Sequence, residues 1–583
     1  MTSGAFLALF IVVPLIAAAL AAMLPWELGR RALGFAVPAA GIVGSAVLLT
    51  KVAGDEAAVL ADNVGAFPGG ISIPLAADAL TATMLLTTAV VCLAATWFAD
   101  IVGETRARFF PALCLMRIGG AWGALLTADL FNLFVFIEVM LMPSFGLIAM
   151  TGTWARLSSA RMFIVVNLIT SLLLLTGVTL TYGVIGTSNL AALAGSAGPR
   201  GGLGFAEGVP GSQWQLVITL GLVLLALSVK AGLAPVHTWL PRAYPATSPA
   251  VMALFSGLHT KVAVYAILRI FMTTFEGDIS WAWGILAFSV LGMLVGSFAG
   301  LAEFSMRTVV GYQMVNGIPF MLVALAFLNN HPHMMLSAAL FYMLHHMVVA
   351  AALIMSSGAI EETYGTGTLR PLSGIMRRDP FVSVVFAAGA LAIVGLPPFS
   401  GLWGKVGLVL GMAFDGTWKA WIAIGAIILT SVGALFSMIY VWREVFWGRQ
   451  MNKKECPPDL HVPASYVMPS AAMMVVSVAM FFGAGQVFDL TGKATDSLTD
   501  TTAYVRAIMG PDDEPSVGRV LPPGPSGMDN VPPGMRSAAG ANAAKERMER
   551  RQGVIPEQHN STDPRVDSPQ GKSSEAETRK TGE

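Results

Sequence analysis

Long apolar runs are the feature that most constrains how this chain can fold. They recur from the N-terminus to about residue 490, and a helix needs about 20 apolar residues to cross the roughly 30 Å hydrocarbon core of a bilayer. Stretches such as Leu172–Leu180 are apolar throughout almost their whole length, whereas the strands of a membrane barrel alternate polar and apolar residues. A helix also satisfies its own backbone hydrogen bonds in lipid. The sequence therefore predicts an all-α polytopic membrane protein.

Fourteen runs are candidate transmembrane helices. They lie at about 5–24, 33–50, 75–98, 109–127, 129–150, 162–183, 214–232, 249–271, 281–302, 307–329, 335–357, 381–401, 419–441 and 466–488. Two shorter apolar pieces, at 235–245 and 402–414, are typical of the halves of broken helices. We therefore expect interruptions near 230–240 and 396–403.

Composition supports a membrane protein and excludes several other classes. Of the 583 residues, 55% are hydrophobic and 12% are charged, far below the charge content of an ordinary soluble domain. Basic and acidic residues number 35 each, so no positive excess exists to bind nucleic acid. Cys92, Cys114 and Cys456 are far apart and lack metal-ligand spacing. We expect no metal, no other cofactor and no nucleic-acid partner.

Basic residues in the short loops predict the orientation, because cytoplasmic loops are enriched in Lys and Arg. The loops that follow odd-numbered spans carry Arg30, Arg31, Arg106, Arg108, Arg156, Arg161, Arg242, Arg307, Arg370, Arg377, Arg378, Arg443, Arg449, Lys453 and Lys454. The opposite loops carry only Lys51, Arg200, Arg269 and Lys419, together with Asp55, Glu56, Asp62, Glu276 and Asp278. We therefore predict a multi-pass protein of the cell membrane with both termini on the outer side.

Composition describes three further segments: the first span and two regions outside the spans. Residues 5–24 precede the first charge, Glu27, and are predicted to be a retained span, with a signal peptide cleaved near 17–22 as the alternative. The glycine-rich stretch 195–204 lacks the strand-to-helix context of a phosphate-binding loop and is predicted to be a flexible connector. Residues 510–583, rich in Pro, Gly and mixed charge, are predicted to form a disordered polar tail.

Ionisable residues inside the apolar runs are the main candidates for function. They are Arg117, Glu138, Lys230, Lys261, His345, His346 and Lys405. A charged side chain at the centre of a membrane helix costs about 2.5–3.5 kcal/mol even on insertion scales. These side chains are therefore expected to face the bundle interior, pair with one another or contact water. An ion or proton pathway is the default hypothesis for such a set.

Glu138 and two of the lysines have informative neighbours. Glu138 has no base three or four residues further on, so its partner must come from another helix. Lys230 is followed by Gly232, Pro235 and His237, which predict a helix break. Lys405 follows the similar break at 396–401. Interrupted helices at matching positions of two halves are the sequence signature of transporters built by internal duplication.

Each candidate also has a purely structural interpretation. Lys230 and Lys405 could snorkel to an interface, and Glu138 could anchor a static ion pair. His345 and His346 point about 100° apart on a helix, so only one is expected to face a pathway. A single buried histidine is a packing residue as often as it is a pathway residue. Arg117 keeps its proton and is expected to be a fixed counter-charge. His237 and His259 are accessory candidates.

Three segments resemble a known superfamily. They are DLFNLFVFIEVML (129–141), VKAGLAPVHTWLPRAYPATSPAVMALFSGLHTKVAVYAILRI (229–270) and GLPPFSGLWGKVG (395–407). The chain resembles the antiporter-like subunits shared by respiratory complex I, membrane-bound hydrogenases and multisubunit Mrp-type cation/proton antiporters, and most of all the D-type subunits of the last group. The resemblance covers essentially residues 1–490.

The resemblance implies an architecture and a set of site residues. It implies N-terminal helices 1–3 in 1–108, two inverted five-helix repeats in 109–272 and 281–445, and a cytoplasmic loop and helix 14 in 446–490. It places the family's glutamate at Glu138, its lysines at Lys230, Lys261 and Lys405, and its eleventh-span histidine at His345. It also implies other subunits as partners, with protons and sodium or another monovalent cation as the transported ions.

The sequence departs from that pattern at several positions, and other functions stay open. Ala350 stands where family members often have lysine, Arg242 stands where they have an acidic residue, and Arg117 is an addition. The central relay is therefore expected to pass through His345 or His346 and water. The alternatives are a proton-pumping, non-redox subunit of an NADH–quinone oxidoreductase or membrane-bound hydrogenase, a self-sufficient solute carrier, and an assembly scaffold.

Overall fold

The computed structural model describes residues 4–54, 58–66, 72–150, 154–199, 212–449, 451, 457 and 459–510. Several sequence expectations lie outside these residues. They concern Asp55, Glu56, residues 200–204 of the glycine-rich stretch, Lys453, Lys454, Cys456 and the tail from 511 to 583.

The described part of the chain contains nineteen α-helices, one two-stranded sheet and seven short 3₁₀ or π segments. The helices are α1 (Leu9–Met23), α2 (Glu27–Val52), α3 (Ala79–Ile101), α4 (Phe110–Leu126), α5 (Leu130–Ala149), α6 (Trp154–Ile185), α7 (Ser212–Ala231), α8 (Trp239–Ala243), α9 (Pro249–Thr274), α10 (Ala282–Ala299), α11 (Met306–Leu322), α12 (Pro332–Tyr364), α13 (Ile375–Arg378), α14 (Pro380–Val394), α15 (Gly401–Asp415), α16 (Trp418–Val441), α17 (Ala464–Phe482), α18 (Ala484–Thr499) and α19 (Thr501–Met509). Strands β1 (Leu60–Asn63) and β2 (Pro74–Ala77) pair antiparallel, with Leu60 opposite Ala77.

The helices confirm an all-α polytopic membrane protein. Among the described residues, twelve helices are long and apolar enough to cross a membrane, and α4 and α14 are shorter apolar helices of 17 and 15 residues. Each of the fourteen apolar runs overlaps one of these helices. The total of fourteen spans stays a prediction, because α4 and α14 are short for a full crossing.

Several of these helices begin at a polar residue whose side chain caps the helix N-terminus. The Asp78 carboxylate accepts a hydrogen bond from the Thr81 backbone N–H at the start of α3, and the Asp129 carboxylate accepts one from the Asn132 N–H at the start of α5. Ser248 caps α9, and Pro249 takes its first position, where no backbone donor is needed.

In the part of the chain that the structure describes, α9 lies wholly inside the bundle, and α12 lies inside it over its central part. Every residue of α9 is buried, and α12 is buried without interruption from Met335 to Ile360. The outer helices α1, α2 and α17 bury only about a third of their length. Since α9 and α12 face protein on all sides, they can carry charged and polar side chains without contact with lipid.

Breaks are present at both expected places. Helix α7 ends at Ala231, and Gly232 follows with φ 84°; α14 ends at Val394, and Gly395 follows with φ 96°. Positive φ favours glycine because other residues are strained there. Helices α8 and α15 then resume after the breaks.

The helices on either side of residue 280 follow the same order. Each set holds two helices of ordinary length, then a long one (α6 with 32 residues, α12 with 33), then a broken one, then another long one (α9 with 26, α16 with 24). This order supports an internal duplication. The inverted relation of the two repeats and the boundaries 109–272 and 281–445 stay predictions.

Four local expectations need correction. Arg269, assigned to a loop, lies buried in α9 and forms an ion pair with Asp78, which compensates its charge. The run 466–488 is not one helix, because the chain turns at Gly483 between α17 and α18. Helices beyond 490 and the β-hairpin were not foreseen.

The glycine-rich stretch is the fourth. Its described part, 195–199, is not a loose connector, because Gly195 and Ala197 donate backbone hydrogen bonds to the Thr273 and Thr274 carbonyls, at 2.8 and 3.0 Å.

Both ends of the described chain lie at one face of the bundle. The Lys493 ammonium of α18 donates to the Ala53 carbonyl at 2.6 Å, and the Asn63 amide of β1 donates to the Ile508 carbonyl of α19 at 3.2 Å. The side of the membrane to which this face belongs stays a prediction.

Candidate functional site

The first buried cluster joins Glu138, Ser171 and Lys230. The Ser171 hydroxyl donates to Glu138 Oε1, and Lys230 Nζ donates to Ser171 Oγ at 2.8 Å. Glu138 lies mid-helix in α5, Ser171 in α6 and Lys230 at the end of α7, where it is 2% exposed. The carboxylate finds its partner on another helix, as its sequence neighbours require. Ser171, which the sequence analysis missed, connects the two charges.

The break after α7 holds Lys230 in place. The Trp239 indole of α8 donates to the Val229 carbonyl at 3.0 Å, and the Leu233 N–H donates to the Ser228 carbonyl at 3.0 Å. Carbonyls that the helix break leaves free therefore accept hydrogen bonds from other groups of the protein. His237 lies within the break, largely buried, and its Nδ1 has no partner in the described part of the chain.

Lys261 lies at the centre of the enclosed helix α9. Its side chain is 0% exposed, and Nζ donates to Thr260 Oγ1 at 3.2 Å. Within the described residues, no carboxylate oxygen lies within 4 Å of it. Snorkelling is excluded for this lysine because helices surround α9 on all sides.

His345 and His346 are both fully buried on α12 and face different elements. His345 Nδ1 contacts Ser400 Oγ at 2.8 Å, and Ser400 Oγ contacts Ser477 Oγ at 2.9 Å. His346 Nε2 lies 3.4 Å from the Gln313 carbonyl of α11. A Cβ atom on Gly317 would lie 2.0 Å from His346 Nε2, so only glycine leaves room for that ring.

Lys405 lies beside the second break. Its Nζ donates to the Val394 carbonyl at 2.7 Å and to Ser431 Oγ at 3.0 Å, and it lies 5.0 Å from the centroid of the Phe320 ring. The Val394 carbonyl is one that the end of α14 leaves without a helical partner. The Lys405 ammonium therefore donates to a carbonyl that the helix break leaves free.

Buried polar atoms without partners collect between Lys261 and Lys405. Within the described residues they are His345 Nε2, His346 Nδ1, Gln313 Nε2 and Asn316 Oδ1. His346 contacts the α11 backbone at Gln313, and the Phe320 ring centroid of the same helix lies 5.0 Å from Lys405 Nζ, so these groups share one region. Buried polar groups are nearly always hydrogen-bonded, so these four atoms are exceptions that call for a partner. The signal in the sequence is a set of amides and serines inside apolar helices.

Arg117 of α4 and His259 of α9 belong to a separate cluster. The Arg117 guanidinium donates to Ser144 Oγ and lies over the Phe255 ring, with Cζ 3.9 Å from its centroid. The His259 ring packs 5.7 Å from Trp239 and 6.4 Å from Tyr244. No carboxylate of the described chain lies within 4 Å of Arg117.

The two departures from the family pattern lie in different surroundings. Ala350 is buried in α12, one helical turn beyond His346, and Arg242 is exposed in α8. No group of three or more metal-ligating side chains occurs in the residues that the structure covers.

A charge cluster lies at the end of the bundle opposite the chain ends. Arg307 forms a bidentate pair with Glu361, at 2.6 Å for both contacts, and donates to the Thr247 carbonyl at 2.7 Å. The Ser248 hydroxyl donates to Glu104 Oε2 at 2.7 Å. Burial raises the pKa of Glu104 to about 7, and the hydrogen bond from Ser248 opposes that rise.

Comparisons with known proteins identify the family of the chain. Residues 127–433 match the family described as NADH:quinone oxidoreductase/Mrp antiporter, TM. The D-type subunit of the Na(+)/H(+) antiporter of Bacillus subtilis is 30% identical over 510 residues, which cover 86% of this chain and 99% of the relative.

Two solved structures share the fold. One, in the Mrp complex from Dietzia sp. DQ12-45-1b, is 34% identical, with a TM-score of 0.80 over 88% of this chain and all of that one. A chain of respiratory complex I from Thermus thermophilus has a TM-score of 0.64 over 83% of this chain and 98% of that one, at 22% identity, and supports the fold alone. The matched family region contains both broken helices and every predicted pathway residue. The chain thus belongs to the NADH:quinone oxidoreductase/Mrp antiporter family of membrane subunits.

Proposed function

We propose that the chain is the D-type membrane subunit of a multisubunit monovalent cation/proton antiporter and that it moves protons through its interior. The proposed route follows Glu138, Lys230, Lys261, His345 or His346, and Lys405. Proton movement along this route is coupled to exchange of sodium or another monovalent cation across the cell membrane. The chain is a transport subunit rather than an enzyme, and it works with other subunits of a hetero-oligomeric complex.

One observation carries the proposal: the contact of Glu138 with Lys230 through Ser171, followed by further buried lysines and histidines in α9, α12 and α15. None of the three lysines reaches the surface, so snorkelling does not account for them. Lysine and histidine can accept and release protons, and water can bridge the unpartnered atoms between them.

Separating the charges of the first cluster involves an energy comparable to that of moving one charge across the membrane potential. The Lys230 ammonium and the Glu138 carboxylate are bridged by Ser171 and lie more than 4 Å apart. Two unit charges about 5 Å apart attract by about 3 kcal/mol at an effective dielectric constant of 20, so doubling their separation costs about 1.7 kcal/mol. Moving one charge through 100 mV involves about 2.3 kcal/mol. Movement of Lys230 away from Ser171 and Glu138 could therefore release one proton against a physiological potential.

The test is Lys261→Ala in the intact complex, reconstituted in vesicles with sodium/proton exchange as the readout. We expect exchange to fall to background, because Lys261 is the titratable group between Lys230 and the two histidines. Lys51→Ala is the matched control, because Lys51 is an exposed lysine at the end of α2. Full exchange by an assembled Lys261→Ala complex would eliminate the route and favour the scaffold alternative.

A further inference from the structure

The positive charge of Arg117 has no counter-ion in the described chain. Its guanidinium is 0% exposed in α4, a helix packed against α1, α5 and α9. The ionisable groups that act on it are the Tyr244 hydroxyl and the thiols of Cys114 and Cys92, which are neutral when protonated. Arginine keeps its proton in proteins, and burying an unpaired charge costs several kcal/mol.

A lipid headgroup or another protein chain cannot supply the missing charge from outside. Ser144 on α5 and Phe255 on α9 contact the guanidinium directly, and both are fully buried. The compensation must therefore lie inside the chain, next to Arg117.

Unpartnered polar atoms surround the same place, and most of them are hydrogen-bond donors; the neutral His259 ring supplies one donor and one acceptor. Arg117 Nε and Nη2 have no partner in the described chain, and neither do the Tyr244 hydroxyl and both ring nitrogens of His259. Phe255 connects these groups, since Arg117 lies 3.9 Å above its ring and Tyr244 packs 5.3 Å from it. His259 follows Phe255 by one turn of α9, on the same face. All three unpartnered side chains are at least 99% buried.

We propose that Arg117, Tyr244 and His259 form a binding site for a small monovalent inorganic anion of chloride size. Water could satisfy the donors but would leave the arginine charge uncompensated, whereas an anion supplies both an acceptor and a negative charge. The proposal of an anion site does not depend on the proton route proposed above, because it is argued from the fixed charge of Arg117 and from unpartnered hydrogen-bond donors. Its effect would be to hold a constant internal counter-charge near the Glu138–Ser171–Lys230 cluster.

Bromide is the probe. The purified complex is heated in sodium bromide and in sodium gluconate, at the same pH, sodium concentration and ionic strength. We expect a higher Tm in bromide, with saturation as bromide replaces gluconate. A density map of the complex in bromide should show a feature heavier than water beside Arg117. Equal Tm values in both salts, or only water at that position, would overturn the proposal.

Arg117→Gln should abolish the bromide dependence, whereas Arg161→Gln, which changes an exposed arginine of α6, should keep it. Tyr244→Phe keeps the ring and removes one donor, so the half-saturating bromide concentration should rise about tenfold. This variant answers the question if Arg117→Gln fails to assemble. Unchanged bromide dependence in either site variant would refute the site. Sodium/proton exchange is measured separately, so failure of the proton route does not affect the result.

Discussion

Lys230 and Lys405 both lie beside an interrupted helix, yet different groups hold their charges. Lys230 precedes its break and is held through Ser171 to the carboxylate of Glu138. Lys405 follows its break and is held by the Val394 backbone carbonyl and by Ser431. The corresponding second helix of the later set, α11, carries neutral Gln313 and Asn316 in its middle part.

Under the proposed function, this difference gives the two lysines distinct tasks. A carboxylate on a neighbouring helix can be approached or left by a side-chain movement, so its attraction for Lys230 can vary during transport. A carbonyl fixed at a helix end cannot leave, so Lys405 has a constant hydrogen-bonding environment. We therefore assign switching to the first cluster and the end of the proton route to the second.

Lys405→Arg tests the second lysine with the largest expected effect. Arginine retains the positive charge and the donor for the Val394 carbonyl but does not release its proton. Exchange should therefore fall to background in reconstituted complexes, as it should for Lys405→Met. An active Lys405→Arg complex beside an inactive Lys405→Met complex would show that Lys405 only satisfies the broken helix.

Glu138→Gln tests the carboxylate that distinguishes the first cluster. The amide can still hydrogen-bond to Ser171 but no longer attracts the Lys230 charge, so exchange should fall roughly a hundredfold for a loss of about 3 kcal/mol. Sodium/proton exchange in vesicles provides the measurement, and Glu138→Asp, which keeps the charge, should retain part of the rate. A rate for Glu138→Gln equal to the wild-type rate would assign Glu138 to a static structural role.

The serines allow a direct comparison of the two clusters by matched substitutions. Ser171→Ala removes the group between Lys230 and Glu138, so exchange should fall about tenfold. Ser431→Ala leaves Lys405 its carbonyl acceptor, so the decrease should be about threefold or less. A larger loss for Ser431→Ala than for Ser171→Ala would reverse the assignment of the switch.

Glu104 gives the smallest effect and lies outside both clusters. Its folded-state pKa of about 7 exceeds its ordinary value of 4.5, so the folded state binds more protons between these pH values. The stability contributed by Glu104 is present below pH 4.5 and is lost as the pH rises to about 7. Thermal unfolding of the Glu104→Gln complex should show a weaker decrease in Tm over this range. An identical pH profile for wild type and variant would contradict the burial of this carboxyl.

Apolar runs, glycines and prolines predicted the helices and both breaks, because length, hydropathy and special backbone angles are encoded locally. The need of Glu138 for a partner on another helix could also be predicted, since its own helix offers none. The identity of the intermediary, Ser171, could not. A serine in an apolar helix most often bonds to its own backbone, and only packing brings it between two charges.

Arg269 is a residue whose position the sequence predicted wrongly. Its position near the end of an apolar run is typical of a loop charge, and its partner Asp78 lies 191 residues away in sequence. The helices α18 and α19 were missed for a related reason: they are shorter and more polar than membrane spans, and their apolar faces are defined only by the helices that they cover.

The close approach of α11 to α12 makes the position of His346 depend on a residue without any chemistry of its own. Since the imidazole occupies the space that a side chain on Gly317 would need, a single added methyl group there would act as a wedge between the two helices. The imidazole of His346 would remain in the protein but would be displaced from its position against α11. Position can thus be separated from titration at this residue by altering the neighbouring helix alone.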